Sequence, residues 1–204
     1  NEVSAWSLPA FWETAMLQST DWKAQWIGDG SVPPAKEEDF YKDDPAPLFR
    51  STFTPQKPVK AARLYISGLG YYEAYINGNR VGDRVLEPGW TNYGKEILYS
   101  TYDVTSLLQE GKNAIGVMLG NGFFNPLPMR IFKPLREYFY IGRPCLKAQL
   151  RIVYADDSAE TVLTGPDWKT AQGPVLRNNV YLGEHYDARK EIKGWDTPSF
   201  DDAL

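Results

Sequence analysis

Apolar and polar residues alternate with a period of two through much of this chain. In 61–67, Ala62, Leu64 and Ile66 fall on one face and Arg63 and Tyr65 on the other. The stretch 146–154 alternates over its whole length, and 72–76 alternates as far as Asn77-Gly78. Period two places side chains on opposite faces of a half-buried strand. Asn-Gly accepts the left-handed backbone of a two-residue hairpin, and Arg80-Val81-Gly82 starts the return. Further strands are predicted over 48–53, 97–102, 113–119 and 160–163, with shorter pieces at 167–170, 175–176 and 184–188. Residues 103–108 read as a capped helical turn closed by Gly111.

No segment keeps a helical period for three turns. Short strands parted by turns at intervals of about ten residues indicate an all-β fold, a sandwich or jelly roll. Residues 29–47 form a connector rich in Pro and acidic side chains, read as a solvated loop. Residues 11–17 look strand-like with no evident partner, as if they closed a preceding domain. Both ends look cut from a longer chain. The expected organisation is a remnant strand in 1–20, a sandwich over 21–188 and a linker over 189–204.

Composition sharpens this picture in two ways. The 204 residues include 7 Trp, 13 Tyr and 9 Phe, a supply of rings suited to stacking on sugar faces. The single Cys145 and single His185 leave no internal disulfide, no cysteine zinc site and no multi-histidine metal site. A net charge of −4 gives no general attraction to nucleic acid, and no apolar run is long enough for a membrane-spanning helix. There is no GxSxG elbow, Walker loop or dinucleotide fingerprint. Cys145 reads as a small core residue, and His185 as a surface or packing residue. Paired carboxylates for glycoside hydrolysis are the enzymatic alternative. Glu73, Glu87, Glu96 and Glu184 are the acids nearest ordered elements.

Several stretches, taken in order, resemble the N-terminal β-sandwich region of bacterial α-L-rhamnosidases. They are Asp21-Trp22-Lys23-Ala24-Gln25-Trp26-Ile27-Gly28, Pro47-Leu48-Phe49-Arg50, the run 67–105, and Gly111-Lys112-Asn113-Ala114-Ile115-Gly116. Leu119-Gly120-Asn121-Gly122-Phe123-Phe124, Tyr186-Asp187-Ala188-Arg189 and Gly194-Trp195-Asp196 continue the likeness. The resemblance implies a galactose-binding-like jelly roll from a periplasmic or secreted enzyme. The catalytic acids of that enzyme would lie in a helical barrel beyond Leu204. It implies carbohydrate or the enzyme's own catalytic domain as partner, and no cofactor. Related modules bind rhamnose with calcium, but no calcium ligand maps onto a residue here, so calcium stays unassigned.

Two loops are the candidate site. Residues 120–144 hold six aromatic rings and four basic side chains against the single acid Glu137. Residues 88–93 add Trp90, Asn92 and Tyr93. Trp90, Asn92, Tyr93, Asn121, Phe124, Asn125 and Arg130 are expected to share one face, with rings stacking and Arg130 pairing a carboxylate. That face would either contact sugar, including uronic acids, or dock on the catalytic barrel. The loop 125–130 departs from the Gly-Arg-rich stretch common in the family. The expected role is a non-catalytic carbohydrate-binding or accessory module, set against a purely structural docking domain and a small glycosidase.

Overall fold

The computed structural model describes residues 6–10, 12–14, 16–32, 36–125 and 142–203. Two antiparallel sheets face each other. One contains β1 (Pro47–Phe53), β3 (Tyr71–Ile76), β4 (Asn79–Arg80), β6 (Asn113–Gly120) and β9 (Lys169–Gln172), in the order β4-β3-β6-β1-β9. The other contains β2 (Val59–Leu69), β5 (Ser100–Asp103), β7 (Cys145–Tyr154) and β8 (Ala159–Leu163), in the order β5-β2-β7-β8. A separate hairpin joins β10 (Val175–Asn179) to β11 (Gly183–Tyr186). The expected β-sandwich is the fold observed. The predicted helical turn is a 3-10 turn at Thr105–Leu107.

The alternation explains the core. Leu64 and Ile66 on β2 and Leu146, Leu150 and Ile152 on β7 face Phe49 on β1, Ile76 on β3 and Ile115, Val117 and Leu119 on β6. Each such side chain contributes roughly 1.5–3 kcal/mol on full burial. The Asn-Gly hairpin forms as predicted, with φ of 53° at Asn77 and 79° at Gly78. Asn77 also works beyond its turn. Its Nδ2 donates to Asn113 Oδ1 at 2.8 Å, and its Oδ1 accepts from the Ala114 amide at 2.9 Å. Asn113, fully buried, donates to the Gln109 and Gly111 carbonyls, so no polar group at this junction is stranded.

Cys145 lies at the start of β7, where burial pushes its thiol up to about 11, so it behaves as a packing residue. The described part of 11–17 forms no strand. Trp12 and Leu17 stand in solvent.

The C-terminal residues 194–202 lie along the outer face of the five-stranded sheet. Buried Arg50 on β1 donates to the Trp195 carbonyl at 2.9 Å and pairs with Asp202 at 2.9 Å. Trp195 packs over Gly116, where an added Cβ would come within 2.7 Å of the indole. Substituting Gly116→Ala should therefore lift this segment, at a cost of about 1–3 kcal/mol. The check is hydrogen exchange at the Gly78 amide, which donates to the Asp196 carbonyl. Faster exchange there, with β2 and β7 unchanged, is the expected result.

Candidate functional site

The outer face of the five-stranded sheet presents Tyr71, Glu73 and Tyr75 from β3, the residues between the inward-facing Tyr72, Ala74 and Ile76. Met118 and Gly120 of β6 lie opposite Glu73 and Tyr71 in the register. Residues 194–202 cover one part of this face, and the β10–β11 hairpin crosses another. Between the hairpin and the loop following β4, a cleft of about 320 Å³ remains. Its lining includes Glu73, Met118, Val85, Leu86, Asn178 and Glu184.

The hairpin is held by an asparagine pair. The Asn121 amide donates to Asn178 Oδ1 at 2.6 Å, and Asn121 Nδ2 donates to the Asn178 carbonyl at 2.8 Å. Asn125 Nδ2 donates to Asn121 Oδ1 at 2.8 Å, which closes the turn that carries Phe123 and Phe124. Asn178 Nδ2 is buried and meets no acceptor among the described residues. Gly120 makes room for this contact, since a Cβ there would stand 3.0 Å from Asn178 Oδ1. Gly70 is equally constrained. Its φ is 127°, and a Cβ would sit 2.1 Å from the Gly120 carbonyl oxygen.

Rings gather beside the cleft. Trp90 stacks on Phe123 with centroids 4.5 Å apart and planes 16° apart. Tyr71 and Tyr181 meet the same Phe123 edge-on at 6.3 and 6.1 Å. Trp90 is 54% exposed and Tyr181 51% exposed, so this cluster reaches solvent. On the loop after β4, the Tyr72 amide donates to the Glu87 carbonyl at 3.0 Å, and Ser100 Oγ donates to the Glu87 carboxylate. Leu86, next to it, has φ 58° with its side chain 67% exposed, a strained backbone that displays an apolar group.

Among the described residues, the turn 120–125 meets the loop 88–93, with divided roles. Trp90 lies at the open surface. Tyr93 and Phe124 are buried and pack edge-on at 5.5 Å, with Leu69, beneath that surface. Burial pushes the Tyr93 phenol up to about 12. Asn92 is exposed and builds a turn, accepting from the Lys95 and Glu96 amides. Asn121 and Asn125 form the hairpin anchor. Arg130 lies outside the described residues. Sequence reading singles out neither Tyr71, Asn178 and Tyr181 nor the cleft itself, although the outward Tyr71-x-Glu73-x-Tyr75 pattern is visible there.

The site's electrostatics are simple. Tyr75 donates its hydroxyl to Glu73 Oε2 at 2.7 Å, and burial together with this bond pushes the phenol up to about 12. Of the four acids noted in the sequence, Glu73 and Glu184 line the cleft, while Glu87 is engaged by Ser100. Among the described residues, no group of three or more His, Cys, Asp or Glu side chains is placed to hold a metal ion.

Comparison with known proteins decides the family. The profile for the α-L-rhamnosidase N-terminal domain matches residues 57–204. The chain belongs to the α-L-rhamnosidase N-terminal domain family. An α-L-rhamnosidase of Formosa agariphila is 36% identical over 219 residues, covering 100% of this chain and 23% of that protein. The α-L-rhamnosidase structure from Dictyoglumus thermophilum superposes with a TM-score of 0.78 at 44% identity, over 93% of this chain and 21% of that one. The Streptomyces avermitilis α-L-rhamnosidase complexed with L-rhamnose gives 0.71 at 44% identity, over 79% of this chain and 15% of that one. The chain thus spans less than a quarter of the length of these three relatives.

The anchor makes a direct prediction. Asn178→Ala removes the Oδ1 acceptor of the Asn121 amide and should cost about 1–3 kcal/mol locally. The Asn121 amide should then exchange about tenfold faster or more, with the sandwich core unaffected.

Proposed function

We propose that this domain is a non-catalytic carbohydrate-binding module of an α-L-rhamnosidase, acting in the periplasm or outside the cell on rhamnose-containing glycans. The observation that carries this reading is the outer-face cleft, which sets polar side chains beside an exposed aromatic cluster. A pyranose has an apolar face and a rim of hydroxyls. The exposed Trp90 and Tyr181 suit the first. Glu73 and Glu184 on the cleft wall accept hydrogen bonds from sugar hydroxyls. Met118 and Val85 add apolar wall, and the volume suits one or two sugar rings. L-rhamnose is the natural first probe, since it is named in the complex of the Streptomyces avermitilis relative.

A ligand of about eleven heavy atoms at roughly 0.3–0.4 kcal/mol each should bind with a Kd on the order of millimolar. Calorimetry with L-rhamnose should show this. Trp90→Ala and Glu184→Gln should each weaken binding about fivefold or more, in keeping with the loss of about 1 kcal/mol from a stacking or hydrogen-bonding partner. No heat at about 20 mM sugar, or heats unchanged in both variants, would sink the reading.

A second reading rests on a different observation. Val85, Leu86, Val180 and Leu182 are exposed at the cleft rim, more apolar surface than a sugar site needs. On that reading the rim docks on the catalytic domain of the parent enzyme. Leu182→Ser would then lower the melting temperature of the full enzyme while leaving sugar binding intact.

A further inference from the structure

The opposite, four-stranded sheet carries an arrangement that the cleft does not explain. In its register Arg63 on β2 lies directly across from Arg151 on β7. Like charges directly opposite on neighbouring strands repel, and such pairs are avoided unless something offsets them. Arg63 has two partners, Asp103 at 2.9 Å and Glu13. Arg151 makes no ion pair among the described residues, although it is exposed on the same face.

Glu13 reaches this face while its neighbours Trp12 and Thr14 stand exposed, Trp12 to 87%. Its carboxylate engages Arg63 in two parallel bonds, Nη2 to Oε1 at 2.6 Å and Nε to Oε2 at 2.8 Å. That is the two-pronged geometry by which a guanidinium recognises a carboxylate. Around it lies a hollow of about 340 Å³, lined by Thr14, Ala61, Tyr65, Arg151 and Val153 besides the Glu13–Arg63 pair. Two guanidinium groups, one tyrosine ring and two small apolar side chains surround a carboxylate already in place.

We propose that the Arg63–Arg151 pair forms a saccharide site selective for a carboxylate-bearing sugar, a uronate, and that Glu13 occupies it as an internal stand-in. The uronate carboxylate takes the place of the Glu13 carboxylate on Arg63 and gains Arg151. The sugar ring lies against Tyr65 and the Ala61–Val153 floor. Glu13 competes from within the chain, so uronate binding and release of the Glu13 side chain are linked. This site stands on the other sheet from the rhamnose-type cleft and is independent of it.

Calorimetry on the chain with D-galacturonate, its uncharged twin D-galactose, and acetate tests the proposal. Removing the internal carboxylate with Glu13→Gln should tighten galacturonate binding about two- to fivefold, the equivalent of an exposed ion pair. That affinity should fall with added salt and drop at least about fivefold when Arg151→Ala is added. Galactose and acetate should bind far more weakly than galacturonate, and Trp90→Ala in the cleft should change nothing. The proposal is overturned if Glu13→Gln binds no galacturonate, or if galactose or acetate binds as well as galacturonate. Indifference to Arg151→Ala overturns it too. Loss of galacturonate binding in Trp90→Ala would assign the ligand to the cleft instead.

Discussion

The asparagine contact between Asn121 and Asn178 is the constraint on which the candidate site depends. A two-stranded hairpin has little stability of its own, and the β10–β11 hairpin pairs with neither sheet of the sandwich. The two bonds from Asn121 to Asn178 hold that hairpin over the end of β6. Asn121 also closes the turn that places Phe123 against Trp90. Asn121 therefore braces both a wall of the cleft and the aromatic cluster beside it, together with the bonds from the Asp44 and Ala46 amides to the Leu176 and Val175 carbonyls of β10. The bare backbone at Gly70 and Gly120 is what lets the chains approach closely enough.

The two sheets divide their work. Their inner faces supply a continuous apolar core, and their outer faces are each partly covered by a terminal segment. Residues 194–202 are tied to the five-stranded sheet through Arg50. Residues 16–27 are tied to the four-stranded sheet through the Tyr99 hydroxyl, Gln149 and the Ile27–Leu146 bridge. Lys147 sits over the rings of Trp22 and Trp26 at 5.0 and 5.9 Å and joins that cover. What each cover leaves open is a hollow, and both hollows combine rings with charged side chains.

Much of the sandwich is legible in the sequence because it follows from local pattern. The alternation in 61–67 and 146–154 places Leu64, Ile66, Leu150 and Ile152 inside, and Asn77-Gly78 dictates its own turn. The site is less legible because its convergence is non-local. The loops around Trp90 and Phe124 can be picked out by their rings, but burial of Tyr93 and Phe124 beneath Trp90 depends on Leu69, far away in sequence. Asn178 and Tyr181 fall between the short pieces predicted at 175–176 and 184–188, and nothing local tells that the hairpin folds over Gly120. The apolar character of 11–17 suggests a strand, yet its described residues form none.

The proposed sugar site is the outer-face cleft. Titrating the isotope-labelled chain with L-rhamnose and following its proton–nitrogen NMR spectrum tests that most directly. The account predicts that the Trp90 indole N–H and the backbone amides of Glu73, Asn178 and Glu184 move together along one saturation curve, while signals from the four-stranded sheet stay still. Shifts confined to another surface, or none at saturating sugar, would contradict it.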